Sequence, residues 1–130
     1  MKLELQVVSL KLSKHLKELG VKQESLFWWQ NYRAINAPWE LNDKCDSDMP
    51  DGFQCSAFTV AELGEMLPAR ISLKNDRFTV EFQTIKFPNK WVSGYWMVEG
   101  LTWQFAKEAD TEANARAEVL IYLLENKLIN

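Results

Sequence analysis

The sequence predicts an α+β protein: an antiparallel sheet of about four to six strands, with two or three helices packed mainly on one face. Three observations support this class. A capping box marks a helix start near residue 59, two hairpins alternate apolar and polar residues in register, and the C-terminal region has apolar residues at helical spacing. The 130 residues suit a single domain, 1–130. We divide it into an N-terminal strand and helix (1–24), aromatic strands with an acidic loop (25–57), and a helix, four strands and a helix (58–130).

The first predicted helix covers residues 9–19. Leu12, Leu16 and Leu19 form one apolar stripe, and Gly20 suits the position after the helix end. Three lysines lie on the other faces: Lys11, Lys14 and Lys17.

Residues 25–35 are rich in aromatic side chains and predict a strand, paired with a second strand at 39–41 across Asn36, Ala37 and Pro38. The polar stretch 42–52 predicts a mobile, solvated loop. Calcium binding is the alternative, but the twelfth position counted from Asp46 is Ala57, where the EF-hand pattern needs glutamate.

A second helix start is specified by Thr59 and Glu62, which form a capping box. Phe58 and Leu63 flank this start as a hydrophobic staple. Pro68 limits the helix to about residue 67, and Gly64 inside it weakens the helix.

The first hairpin is predicted around Asn75 and Asp76. This register puts apolar pairs on one face and polar or oppositely charged pairs on the other, so a slip of one residue would be costly. The pairs are Leu73 with Phe78, Ile71 with Val80, Ala69 with Phe82, Ser72 with Thr79, and Arg70 with Glu81.

The second hairpin is predicted around Glu99 and Gly100, with Pro88 and Asn89 joining the two hairpins. Its register pairs Val98 with Leu101, Trp96 with Trp103, and Gly94 with Phe105, and the glycine leaves room for an aromatic neighbour. Apolar residues change from even to odd positions between Phe82 and Ile85, which predicts a β-bulge near Thr84.

The last helix is predicted to begin at Asp110 or Thr111. Its apolar surface is wider than one sheet face can cover, so either the N-terminal helix or a second subunit must pack on it. The stripe comprises Ala113, Ala117, Leu120, Ile121 and Leu124, with further apolar surface at Val119, Tyr122, Leu123, Leu128 and Ile129.

Composition and motifs argue against several classes of function. Residues 40–65 contain seven acids and one base, whereas 66–107 contain six bases and three acids, which is too weak a field to indicate nucleic acid by itself. Catalytic and metal-ligand motifs are missing from the sequence, and His15 has no ligand partner at helical spacing. We therefore predict no enzymatic activity, no cofactor and no metal. Cys45 and Cys55 are predicted to be reduced in a cytoplasmic protein that does not enter a membrane.

Six tryptophans are too many for the core of so small a domain. We predict Trp96 and Trp103 to be structural, and a protein interface, with a homodimer as the favoured form. Candidate interface residues are Trp28, Trp29, Trp39, Trp91, Tyr122, Leu123 and Leu128. The alternative is a nucleic-acid-binding module, since basic and aromatic residues alternate at one strand connection. Its candidate contacts are Lys11, Lys14, Lys17, Lys86, Lys90 and Trp91.

Two resemblances accompany these predictions. The order of elements over 58–129 resembles the double-stranded RNA-binding domain, but acids stand where that domain has bases, at 107–113. The segments 57–68 and 111–129, together with 12–26, resemble a family of small uncharacterised proteins encoded by bacteriophages and prophages. That resemblance implies a bacterial cytoplasmic setting and supplies no site residues, so it favours an accessory or interaction protein without naming its partner.

Overall fold

The computed structural model of the protein describes residues 1–32, 38–73 and 78–129. Short 3₁₀ turns cover Leu3–Leu5 and Asp51–Phe53. The helices are α1 (Leu10–Glu18), α2 (Val60–Met66) and α3 (Glu112–Glu125). The strands are β1 (Phe27–Gln30), β2 (Glu40–Asn42), β3 (Gln54–Ala57), β4 (Arg70–Leu73), β5 (Phe78–Phe87), β6 (Lys90–Met97) and β7 (Thr102–Ala109). Within the described residues, no helix is long and apolar enough to cross a membrane.

The predicted α+β class is confirmed, and the strands are divided between two antiparallel sheets. One sheet has the order β4-β5-β6-β7, and the other has the order β2-β1-β3. The pairing of Trp29 with Leu41 confirms the predicted partner of the aromatic strand. Trp29 also pairs with Cys55 on the strand that follows the acidic loop, and this third strand was not predicted. Of the predicted connection between β1 and β2, Asn36 and Ala37 lie outside the described residues.

The predicted register of the first hairpin is confirmed. Leu73 pairs with Phe78 and Ile71 with Val80, while Ser72 and Thr79 share the opposite face. The Arg70 Nε lies 3.3 Å from the Glu81 Oε1, as their opposite charges require. The predicted turn residues, Asn75 and Asp76, lie outside the described residues.

The predicted bulge near Thr84 is wrong. β5 pairs with β6 in one unbroken register from Glu81 to Phe87, and the irregularity lies instead between β6 and β7. Tyr95 pairs with Gln104 but Ser93 pairs with Lys107, so β7 contains one extra residue there. Phe105 lies in the bulge and has a φ of 58°, in the left-handed region. The predicted pairing of Trp96 with Trp103 is confirmed.

Gly94 lies opposite this bulge. A Cβ atom there would stand 2.8 Å from the Ala106 Cα, closer than real contacts allow. The predicted room for an aromatic ring is therefore occupied by the backbone of β7.

The predicted helix starts agree with the structure in detail. The Thr59 hydroxyl accepts the Glu62 N–H at 3.2 Å, and the Glu62 carboxylate accepts the Thr59 N–H at 2.9 Å. For α3 the choice between two N-caps is resolved in favour of Thr111, whose hydroxyl accepts the Asn114 N–H at 3.2 Å. Gly20 follows α1 with φ of 88°, as its predicted position requires.

The apolar surface of α3 is covered by the chain itself. α3 packs on β5, β6 and β7, and also contacts α1 and α2. Leu16 of α1 and Leu123 of α3 are both fully buried in the resulting core. The sequence predicted that either the N-terminal helix or a second subunit packs on the apolar surface of α3. In the structure the N-terminal helix, α1, packs there.

The backbone of the acidic loop is held by two glutamines. Gln30 is fully buried, and its Nε2 donates to the Lys44 carbonyl at 2.8 Å and to the Gln54 Oε1 at 3.0 Å. Its Oε1 accepts from the Tyr32 hydroxyl and from the Asn42 Nδ2, both at 2.8 Å. Gln54 also bonds the N–H and the carbonyl of Asp46, at 3.2 and 2.8 Å. The loop predicted to be mobile is thus tied to its sheet by hydrogen bonds.

Candidate functional site

The side of the four-stranded sheet that faces away from α3 is its outer face. Alternation along the strands defines it: Tyr95 points into the core, so its neighbour Trp96 points outward. The apolar residues of this outer face are Ile85, Phe87, Val92, Trp96 and Trp103. Ile85 is 39% exposed and Phe87 is 41% exposed, so the outer face is open to solvent.

The centre of the outer face is a pair of tryptophans. The rings of Trp96 and Trp103 meet edge to face, with centroids 5.5 Å apart and an interplanar angle of 76°. This is a favourable aromatic arrangement, and each ring is partly shielded by the other. The turn beyond them adds Val98 and Leu101, both well exposed. The face therefore carries several apolar side chains where an antiparallel sheet ordinarily has polar residues, with Gln83 and Gly94 between Ile85 and the tryptophan pair.

Charges on the outer face are paired at its two ends. Arg70 and Glu81 form an ion pair near the β4 edge. Lys90 and Glu108 form another near the β7 edge, with Nζ and Oε2 2.7 Å apart. The charged residues on the strands of this face are therefore paired, and Glu99, in the turn between Val98 and Leu101, adds one negative charge.

Two of the predicted interface residues are buried within the protein. Leu123 lies in the core, and Trp28 is only 8% exposed. Neither offers a surface to a partner in this conformation.

The other predicted interface residues are partly used by internal contacts. Trp29 donates its Nε1–H to the Val8 carbonyl at 2.9 Å. Tyr122 stacks on Phe105 with ring centroids 5.1 Å apart. Leu128 remains 37% exposed after the end of α3.

The last two tryptophans of that set, Trp39 and Trp91, lie under lysine side chains. The Lys14 Nζ is 4.5 Å from the Trp39 ring centroid, and the Lys86 Nζ is 5.6 Å from that of Trp91. Trp91 also lines a cleft at the other end of β6 from the Trp96–Trp103 pair. The predicted interface residues thus form no single surface.

The lysines predicted to contact nucleic acid are divided between α1 and the β5–β6 connection. Lys17 binds the Asp51 carboxylate at 3.1 Å and the Gln54 carbonyl at 2.8 Å. Lys90 is paired with Glu108, while Lys11 is exposed on α1. Two of the six predicted contacts are therefore already neutralised by carboxylates.

The two cysteines and the single histidine are the candidate reactive groups of the chain. Cys45 is exposed, Cys55 is buried, and both are free thiols. Burial raises the pKa of the Cys55 thiol to about 11, which makes it a poor nucleophile at neutral pH. His15 lies 3.7 Å from the Glu125 carboxylate. Among the described residues, no group of three His, Cys, Asp or Glu could hold a metal ion.

The apolar residues of the outer face were not among the predicted site residues. Their signal was present in the sequence, because Ile85 and Phe87 break the even-numbered apolar pattern of β5. The predicted bulge near Thr84 would have turned both side chains inward. The change instead marks the point on β5 beyond which the apolar side chains lie on the outer face.

The fold and this surface define a small α+β protein with two antiparallel sheets and one exposed apolar sheet face. A scan against models of known protein families, a search of curated proteins and a search of solved structures each found no match.

Proposed function

We propose that this protein is a non-enzymatic interaction protein that forms a homodimer through the outer face of its four-stranded sheet. The open apolar centre of that face, built around Trp96 and Trp103, is the observation that carries the proposal. Contiguous exposed apolar surface with a polar rim is typical of protein interaction sites. The resemblance to phage and prophage proteins adds a setting, in which the dimer acts as an accessory protein in the bacterial cytoplasm.

Charge is compatible with a second copy of this chain as the occupant of the face. The chain as a whole carries a net charge of −3, which opposes self-association. On the outer face each of the two ion pairs is neutral by itself, so these four residues add no repulsion between two copies. The aromatic pairs of the two copies would then bury one another.

The size of the face is consistent with a modest dimer interface. Strand spacing and rise per residue give a four-stranded sheet with eight-residue strands a face of about 500 Å². Two copies would bury about 1,000 Å², near the lower limit for a specific interface. We therefore expect a dimer that dissociates on dilution.

Sedimentation velocity on the full chain over a range of concentrations tests the proposal. The wild-type protein is expected to be mainly dimeric at tens of micromolar. Phe87→Lys puts a charge into the apolar part of the outer face at the end of β5 and is expected to weaken the dimer at least about tenfold, since burying an unpaired charge is costly.

Leu26→Lys is the matched control, because Leu26 is 63% exposed and lies before β1, on the other sheet. This variant is expected to dimerise as the wild type does. A wild-type protein that stays monomeric at these concentrations contradicts the proposal. If both substitutions weakened the dimer equally, the outer face would not be the interface.

A further inference from the structure

A cleft of about 630 Å³ lies where the N-terminal turn, α2 and α3 meet. It is separate from the outer face of the sheet, and its size is in the range of small-molecule sites. Its wall is mainly apolar: Leu3, Leu5, Phe27, Val60, Ala61 and Trp91.

The apolar side chains of this wall remain partly in contact with solvent. Leu3, Phe27, Val60 and Trp91 are each partly exposed, and Leu5 is 48% exposed. A molecule seated in the cleft would remove this apolar surface from water. The wall can therefore stabilise a bound molecule in proportion to the apolar area of both.

The polar side chains inside the cleft are engaged within the protein. The hydroxyls of Thr59 and Thr111 each accept a backbone N–H at 3.2 Å, and the Gln6 Nε2 donates to a carbonyl at 3.0 Å. The Glu112 carboxylate is neutralised by the Arg116 guanidinium at 2.8 and 3.0 Å. The two threonine hydroxyls can still donate their protons, and these donors are neutral.

Two opposite charges stand at the mouth of the cleft. The Met1 ammonium and the Asp110 carboxylate belong to exposed residues, and Asp110 also borders a second cleft beside Lys11 and His15. Because these charges are solvated and opposite in sign, they select neither a cation nor an anion. The start of α3 by itself favours an anion, but Glu112 in its first turn offsets that preference.

We propose that this cleft binds an uncharged small molecule with an apolar body, of the class of medium-chain alcohols. The partly exposed apolar wall accounts for the affinity, and the neutral threonine hydroxyls accommodate one hydroxyl group. A charged group inside the cleft would lose its hydration without gaining a counter-charge. Kept at the mouth, the same group would hold part of its apolar body away from the wall.

A series of primary alcohols, pentanol, hexanol and heptanol, tests the apolar contribution. Each alcohol is titrated into the ¹⁵N-labelled full chain, and amide shifts are followed by NMR. The affinity is expected to rise about two- to fourfold with each added methylene, as burial of that group in a half-open cleft allows. The shifts are expected at Leu3, Val60, Ala61 and Thr111.

Hexylammonium and hexanoate test the exclusion of charge, because they carry the same apolar chain as hexanol. Both are expected to bind at least about threefold more weakly than hexanol, since neither gains a partner for its charge. If either ion binds as tightly as hexanol or more tightly, the proposal is wrong.

Ala61→Trp tests the location, because Ala61 is exposed on α2 and a larger side chain there would fill the cleft. This variant should lose the shifts with heptanol. Ala69→Trp is the matched control, since Ala69 is also exposed but does not line the cleft, and it should bind heptanol as the wild type does.

Phe87→Lys separates this proposal from the dimer, because Phe87 lies on the outer face. It should leave the binding of heptanol unchanged, whether or not the protein dimerises. Loss of binding in this variant, or binding that persists in Ala61→Trp, would place the alcohol outside the cleft and overturn the proposal. Failure to shift these amides with heptanol up to about 10 mM would overturn it as well.

Discussion

At the scale of single residues, burial determines the chemistry of Cys55. Its side chain is 2% exposed, and its desolvation raises the thiol pKa from 9.0 to about 11. The positive charges of Lys17 and Lys14 lower the pKa, but by less than burial raises it. Cys45, by contrast, is exposed to solvent. The two thiols therefore differ in burial, although they are only ten residues apart in the sequence.

This difference predicts an alkaline loss of stability that depends on Cys55. Above pH 9 the unfolded thiol loses its proton while the folded thiol keeps it, until about pH 11. Because the folded state then binds more protons, the free energy of unfolding falls with rising pH, by up to about 1.4 kcal/mol per pH unit. Cys55→Ala is expected to reduce this slope in urea unfolding measured from pH 8 to 11.

Cys45→Ala is the matched control and should leave the slope unchanged, because Cys45 is exposed and its replacement leaves Cys55 buried. Tyr95 also has a pKa raised by burial, but it is present in all three proteins and cancels in the comparison. Identical slopes for the wild type and Cys55→Ala would show that the thiol is not desolvated.

At the scale of secondary structure, the glycine at position 64 within α2 is explained by the side chain that packs beside it. A Cβ atom at this position would lie 2.7 Å from the Arg116 Nη1. That guanidinium is held in place by Glu112 and by the Phe82 ring, whose centroid lies 5.2 Å from the Arg116 Cζ. The glycine thus weakens one helix but admits the arginine that connects α3 to the sheet.

A double-mutant cycle tests this relation. Gly64→Ala alone should gain little stability, because the increase in helix propensity, about 1 kcal/mol, is offset by displacement of the guanidinium. In an Arg116→Met background the same substitution should gain close to the full amount. Urea unfolding of the four proteins measures the coupling, and strict additivity would contradict the proposed contact.

The elements that sequence predicts best are those that local chemistry determines. The capping box at Thr59 and the register of the first hairpin both depend on residues close together in the chain, and both are confirmed. β3 was missed because its partner is β1, across the whole acidic loop. The bulge was misplaced because alternation alone cannot distinguish a bulged strand from one with two apolar faces. For the same reason, the apolar residues of the outer face were not predicted as a site.

At the scale of the whole molecule, Gln30 connects the three-stranded sheet to the acidic loop. All four hydrogen-bonding positions of its amide are used, although the side chain has no contact with solvent. Since buried polar groups are costly when unpaired, the loop and the sheet must form together.

Gln30→Ala is therefore expected to destabilise the protein by about 3 kcal/mol, because it leaves several partners unpaired and creates a cavity. Glu65→Ala is the control, since Glu65 is exposed on α2 and lies away from the outer face, and should change stability by less than about 0.5 kcal/mol. Thermal or urea unfolding measures both changes. A loss below about 1 kcal/mol for Gln30→Ala would mean that the loop is held by other contacts.

The bulge at Phe105 has a consequence for how copies of this protein can meet. β7 is the last strand of its sheet, and its eight residues would otherwise offer a regular row of backbone donors and acceptors to a strand of another molecule. The extra residue breaks the spacing of that row halfway along. Chain-to-chain strand addition, the route by which sheet proteins grow into fibres, is thus hindered at this edge. The face-to-face dimer proposed above does not use this edge.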